Sequence, residues 1–162
     1  MRSVFALFLE YEDCEAAFDE MVGQGFDEQE INVITKEEVA KTHVDVDLER
    51  VHVKATDELG SESTGLDILL GTQQPVKLGE VGRVYAAGDM ATIVAKTAAA
   101  DGKGLRETLP DFDVSASASD AYVDGLVNDG ILLWIRAADD RVSEVANVLR
   151  THNGVRVSGY GG

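Results

Sequence analysis

Cysteine is nearly absent from this sequence, because Cys14 is the only one among 162 residues. A single cysteine excludes an internal disulfide bond, and such sparse use is typical of a reducing compartment. We therefore expect a cytoplasmic protein.

Basic residues are also scarce, with 14 Lys and Arg against 30 Asp and Glu and a net charge of −16. Binding to nucleic acids depends on clustered Lys and Arg that neutralise phosphates, and anionic membranes attract similar clusters. We therefore expect neither a nucleic acid nor a membrane as a partner. The acidic residues are dispersed along the chain, and we expect them to form a charged shell that keeps it soluble.

Long hydrophobic runs are missing as well, since no stretch reaches the roughly 18 apolar residues that a membrane-spanning helix needs. The nearest approach, residues 84–100, is interrupted by Asp89 and Lys96. The apolar run at residues 4–9 stops at Glu10 and is too short for the core of a signal peptide, so we interpret it as a strand. With 44% hydrophobic and 27% charged residues, the composition predicts one globular domain over residues 1–162.

The two ends of the chain resemble each other, and each has the pattern of a strand, a helix and a second strand. Apolar residues recur at helical spacing in both helices, namely Cys14, Ala17, Phe18, Met21 and Val22 in the first and Val142, Val145, Ala146 and Leu149 in the second. Two such units predict an α+β fold, a ferredoxin-like β-α-β-β-α-β sandwich whose core halves are residues 1–36 and 130–162.

The ends of these two helices carry capping signals. Asp13 stands where an N-cap is predicted in the first helix, and Asp139 or Asp140 in the second. Gly25 and residues 153–154 stand where a left-handed C-terminal cap is predicted.

The strands of the repeat differ in hydrophobicity, which predicts their places in the sheet. Residues 4–9 and 131–135 are almost continuously apolar, as in central strands that are buried on both faces. Residues 31–34 and 155–158 are more mixed, as edge strands often are. Right-handed crossovers place both helices on one face. The opposite apolar face must then be covered by the rest of the chain or by a second subunit.

Residues 37–129 form a long insertion between the second and third strands of the repeat, and we expect it to be largely helical. The predicted elements are a helix at 56–70, an extended segment at 83–87, a helix at 90–100, and a last helix that Ser119 caps and Gly130 ends.

Three segments carry a family resemblance: residues 25–33 (GFDEQEINV), 85–91 (YAAGDMA) and 122–137 (YVDGLVNDGILLWIRA). They resemble the bacterial general stress protein, or heat-induced stress protein, domain family, whose molecular function is unknown. The resemblance implies a stress-linked, non-enzymatic role and supplies no catalytic residues. The family's middle segments are often apolar enough to suggest membrane contact, whereas this one contains Asp67, Lys77, Glu80, Arg83, Asp89 and Lys96, so membrane association is not expected.

One segment has the pattern of a metal site. His43, Asp45 and Asp47 alternate with apolar residues, so on an extended strand they would share one face and could converge on a divalent cation. An exposed strand with its apolar residues turned inward gives the same pattern. We keep these three residues as candidate metal ligands beside that alternative.

Other candidate residues have simpler structural explanations. Cys14 belongs to the apolar stripe of its helix and is surrounded by carboxylates that disfavour a thiolate. His152 stands at the end of the second helix, where its charge complements the helix dipole. Residues 102–104 (GKG) lack the spacing of a phosphate-binding loop, and Trp134 is predicted to lie in the core of the sheet.

Two functional hypotheses follow. The first is a non-enzymatic, stress-associated protein that forms a homo-oligomer, most simply a dimer, through its sheet or its inserted helices, with no cofactor. The alternative is a regulatory module that binds a small molecule or a divalent metal, an assignment that would rest on fold analogy alone.

Overall fold

The computed structural model describes residues 2–39, 76–78, 81–101, 105–112 and 114–160. Its strands are β1 (Arg2–Phe8), β2 (Ile31–Lys36), β3 (Val76–Leu78), β4 (Gly82–Ala87), β5 (Ile131–Ala137) and β6 (Val155–Tyr160). Its helices include α1 (Tyr11–Gly23), α2 (Asp89–Asp101), α3 (Leu105–Thr108), α4 (Ala116–Val127) and α5 (Val142–Thr151), with 3-10 turns at Glu28–Glu30, Leu109–Phe112 and Asp139–Arg141. Within these ranges no helix is long and apolar enough to cross a membrane.

The strands form one antiparallel sheet in the order β3-β4-β2-β5-β1-β6. The predicted α+β class is therefore confirmed. β1 and β5 are neighbours and pair over their whole length, from Arg2 opposite Ala137 to Phe8 opposite Ile131. This pairing confirms that the two most apolar strands lie side by side, each with another strand on its other side.

The prediction that residues 31–34 form an edge strand is wrong. β2 lies between β5 and β4 and pairs with both of them. Its residues from Ile31 to Thr35 are all buried, including the polar Asn32. The extended segment predicted at residues 83–87 is confirmed as β4, and it is this strand that covers the edge of β2.

One face of the sheet carries α1 and α5, which contact each other, so the prediction that both repeat helices share a face is confirmed. The buried stripe of α1 packs there against the β1 side chains Val4, Ala6 and Phe8. α5 contributes Val145 and Leu149 to the same core.

The opposite face is covered by the same chain, through α2, α3 and α4 of the insertion. These helices bury Phe5 and Leu7 of β1 and Leu132 and Trp134 of β5. The rest of the chain therefore covers this face, and a second subunit is not needed to bury it.

A buried hydrogen bond fixes the insertion to the core of the sheet. The Asn32 Oδ1 accepts bonds from the backbone N–H groups of Met90, at 2.8 Å, and Ala91, at 2.9 Å. These amides belong to the first turn of α2, where donors have no partner within the helix. A side chain of β2 therefore caps α2, which explains why a polar residue is buried in a central strand.

Several predicted helix ends are displaced. α1 begins at Tyr11 with Glu10 at its N-cap, so Asp13 lies inside the first turn. Asp139 and Asp140 belong to a 3-10 turn before α5 instead of capping it.

The start of α4 is also displaced. It begins at Ala116 because the Ser115 hydroxyl accepts a bond from the Ala118 N–H, and Ser119 is internal. The left-handed residues Gly25, with φ of 100°, and Asn153, with φ of 68°, confirm the predicted C-terminal caps. The helix predicted at residues 56–70 lies outside the described residues.

Gly125 provides a test of how closely α4 packs on the sheet. A Cβ at this position would collide with the Leu7 side chain, whereas a Cβ at Gly23, near the end of α1, would meet nothing within 4 Å. We expect Gly125→Ala to lower the free energy of unfolding by about 2 kcal/mol through overpacking. Gly23→Ala should leave it unchanged or raise it by up to about 1 kcal/mol, because alanine favours helix. Urea denaturation of both variants checks this, and equal stabilities would contradict the close packing.

Candidate interaction site

A groove of about 330 Å³ lies between α5 and the edge strand β6. The apolar residues that line it are Val4, Val142, Ala146 and Val157. The polar residues that line it are Ser143, Asn147, Arg150 and Ser158. The volume is within the range of small-ligand and peptide sites. The groove is half open to solvent, and its lining contains one cation and no carboxylate.

The positions of these residues follow from the period of α5. Ser143, Asn147 and Arg150 are spaced by four and three residues, so they form one line along the helix beside the stripe that packs on the sheet. On the strand side, Val4 lies opposite Gly159.

β6 is irregular in the middle. Phe5 pairs with Ser158 and Leu7 with Val155, so Arg156 and Val157 together lie opposite Ala6 and form a β-bulge. Arg156 has φ of 54°, a left-handed conformation that is unfavourable for a residue with a Cβ. Past the bulge, residues 158–160 pair regularly with β1.

Tyr122 of α4 holds this bulge from the opposite face of the sheet. Its hydroxyl donates a hydrogen bond to the Arg156 carbonyl oxygen at 2.9 Å. The Phe5 ring is stacked with both Tyr122 and Trp134, with centroids 5.6 and 5.0 Å apart. The irregular edge is therefore fixed by a buried aromatic cluster. Trp134 is 2% exposed, which confirms that it lies in the core of the sheet.

The charges along α5 are divided between its two ends. Asp140 and Glu144 lie at its start, whereas Arg150 lies in its last turn. Arg141 binds both carboxylate oxygens of Glu144, at 2.9 and 3.0 Å, and this bonding lowers the pKa of Glu144. The turn before the helix therefore carries the Asp139 and Asp140 carboxylates, Glu144 is neutralised by Arg141, and Arg150 near the end of the helix lies in the lining of the groove.

The outer side of β6 has no partner strand among the residues that the structure describes. An edge strand of this kind presents backbone N–H and C=O groups that can pair with another chain. The groove and this outer side together form what we call the β6 edge site, made of residues 157–160 and the lining residues Ser143, Asn147 and Arg150.

The residues predicted as metal ligands, His43, Asp45 and Asp47, lie outside the described residues, and so do residues 102–104. Within the described part of the chain, no group of three or more His, Cys, Asp and Glu side chains is placed to hold a metal ion. The metal hypothesis stays a prediction.

His152 joins two helices. It follows the last residue of α5, and its Nε2 lies 2.7 Å from the Glu20 Oε1 of α1. The Glu20 carboxylate also accepts a bond from the Gln24 side chain. His152 is the residue at the C-cap of α5, at the end of the helix where the sequence places it, and its contact with Glu20 links α5 to α1.

The β6 edge site is not anticipated by the sequence pattern. Its signals are the glycine at position 159 and the polar line on α5, which are both common on surfaces. The bulge at Arg156 has no local signal, because the strained conformation is imposed by the register of β1 and by Tyr122.

Comparison of the chain with models of protein families, with curated proteins and with solved structures finds no match in any of the three.

Cys14 offers a direct test of burial in this half of the core. Its side chain is fully buried in α1, and this burial, together with the Glu15 and Asp13 carboxylates, raises the pKa of the thiol. Because the thiolate is the reactive form, we expect no alkylation by iodoacetamide in the native protein at pH 8 and complete alkylation in urea. Mass spectrometry measures both, and rapid native labelling would contradict the placement of α1.

Proposed function

We propose that this chain is a non-enzymatic, stress-associated, cytoplasmic protein that self-associates through an open edge of its sheet. The β6 edge site carries the proposal, because it joins a groove to a strand edge with which no strand of the described residues pairs. The stress association rests on the resemblance of residues 25–33 and 122–137 to the general stress protein family.

The character of the groove supports an association role. Four of its lining residues are apolar and three are uncharged and polar, with Arg150 as the one charge. Depletion of charged residues around an apolar centre is typical of the core of a protein–protein interface. The two faces of the sheet are filled by α1 and α5 and by α2, α3 and α4. Among the described residues this leaves the edges at β3 and β6 for contact, and β6 is the longer of the two strands.

We also propose that four strands form the ferredoxin-like unit that the repeat predicts. Their order, β2-β5-β1-β6, and their antiparallel pairing support this assignment. In this description residues 37–129 are the insertion, which adds β3 and β4 beside β2 and covers the far face.

Self-association is tested by measuring mass in solution. We expect a species of twice 17.4 kDa at micromolar concentrations by analytical ultracentrifugation. Because each copy carries a net charge of −16, mutual repulsion weakens the contact at low salt. Raising salt from about 0.1 to about 1 M shortens the screening length from about 10 to about 3 Å, so the dimer fraction should rise.

A protein that stays a monodisperse monomer of 17.4 kDa at both salt concentrations would remove the self-association proposal. Bovine serum albumin measured in the same buffers controls for direct effects of salt on sedimentation.

A second candidate function is supported by the size of the groove, which is sufficient for a small molecule. In this case the protein would be a regulatory module. Thermal-shift measurements with amino acids, nucleotides, Zn²⁺ and Mn²⁺ test it, and a ligand in this groove should raise the melting temperature less in Asn147→Trp than in the native protein. Silence across the panel favours association.

A further inference from the structure

We infer that the occupant of the β6 edge site is a second copy of this chain, which pairs its own β6 antiparallel to the first across a two-fold axis. This inference rests on the proposed self-association and specifies the surface and the orientation. The resulting sheet would continue from one copy into the other, with each α5 beside its symmetry mate.

The backbone of β6 limits where such pairing can occur. The bulge at Arg156 and Val157 twists the first half of the strand, and bulges of this kind interrupt edge-to-edge pairing. Residues 158–160 keep a regular register with β1, and no strand among the described residues pairs with their outer side. The pairing is therefore short, and the groove must contribute the rest of the contact.

The groove supplies apolar surface that a copy of itself can cover. Val142 and Val157 are half-buried, and Val157 packs on the core with its outer part accessible. Under two-fold symmetry each copy brings the same side chains to the contact. The exposed parts of Val142 and Val157 then lie near those of the second copy at the centre of the interface.

The charges on α5 favour an antiparallel copy as the occupant. A two-fold axis that reverses β6 also reverses α5, so the basic end of one helix lies opposite the acidic start of the other. Arg150 then faces the turn that contains Asp139 and Asp140 in the second copy, whereas Glu144 is already bound by Arg141 of its own chain. Complementary charges of this kind determine the orientation of the two copies more than their affinity. They matter here because each copy carries a net charge of −16 and the copies repel one another.

Two variants and their mixture test the orientation. Arg150→Glu places a carboxylate opposite the acidic start of α5, and Ser143→Lys places a cation opposite Arg150 of the second copy. We expect each variant alone to weaken dimerisation by at least about tenfold, since the like charges occur twice in a symmetric contact. In the mixture, a heterodimer brings the new carboxylate of one variant opposite the new ammonium of the other, and these charges attract. The second of its two symmetric contacts is the native one. We therefore expect the heterodimer to have a dissociation constant close to that of the native dimer. Native mass spectrometry resolves the three species.

Matched controls place the same charge changes outside the site. Arg83→Glu on β4 and Ser117→Lys on α4 both alter exposed positions away from the groove and from β6. They should leave the dissociation constant within about twofold of the native value. In addition, hydrogen exchange at residues 157–160 should slow as protein concentration is raised, because the pairing protects outward-facing amides.

The outcomes separate the two proposals. If the two site variants dimerise as the native protein does, and exchange in β6 is unchanged, this inference and the assignment of the contact to the sheet edge are overturned. Self-association itself would then stand, through another surface such as that around the exposed Ile93 of α2. Weakening by both variants without recovery in the mixture would overturn the antiparallel arrangement. A native protein that is monomeric throughout would overturn the inference together with the proposed function.

Discussion

The two central strands, β1 and β5, are apolar on both faces, and the rest of the structure follows from the need to bury both. Phe5 and Leu7 point to one side of the sheet, whereas Val4, Ala6 and Phe8 point to the other. If either face were exposed, several large side chains would remain in water. Each of them would lose roughly 2 kcal/mol of the free energy gained by burial. The α1–α5 pair covers only one side. A second helical layer is therefore required, and the insertion supplies it.

The attachment of that second layer requires residue types that are unfavourable for the elements in which they lie. Asn32 is polar in a buried strand because α2 needs an acceptor for its first amides. Gly125 stands inside α4, although glycine weakens helices, because any larger residue would collide with Leu7. Tyr122 extends from the same helix to the Arg156 carbonyl and so connects the inserted layer with the edge strand. The layer formed by α2, α3 and α4 and the strands that it covers therefore form one interlocked core.

Sequence patterns predicted the features that depend on local chemistry. The amphipathic stripes of α1 and α5, the adjacency of β1 and β5 and the left-handed caps at Gly25 and Asn153 are all present in the structure. The place of β2 was mispredicted because its central position depends on β4, which comes from a distant segment. The groove of the β6 edge site depends on which residues of α5 and β1 face each other across a gap, and no single segment contains that information.

The open edge of β6 must satisfy two opposing demands. An unpaired strand invites indiscriminate pairing, and the bulge at Arg156 together with the negative charge of the chain opposes it. Both devices act without regard to the identity of a partner. A suitable partner pairs past the bulge, covers Val157 and places a carboxylate opposite Arg150. Such a partner is not obstructed by the bulge, and its carboxylate offsets part of the charge repulsion. An antiparallel copy would combine these three properties, because its β6 supplies the regular strand and the valine and the turn before its α5 supplies the carboxylates. Specificity at this edge would then come from the part of the charge repulsion that the opposed Arg150 and this turn offset.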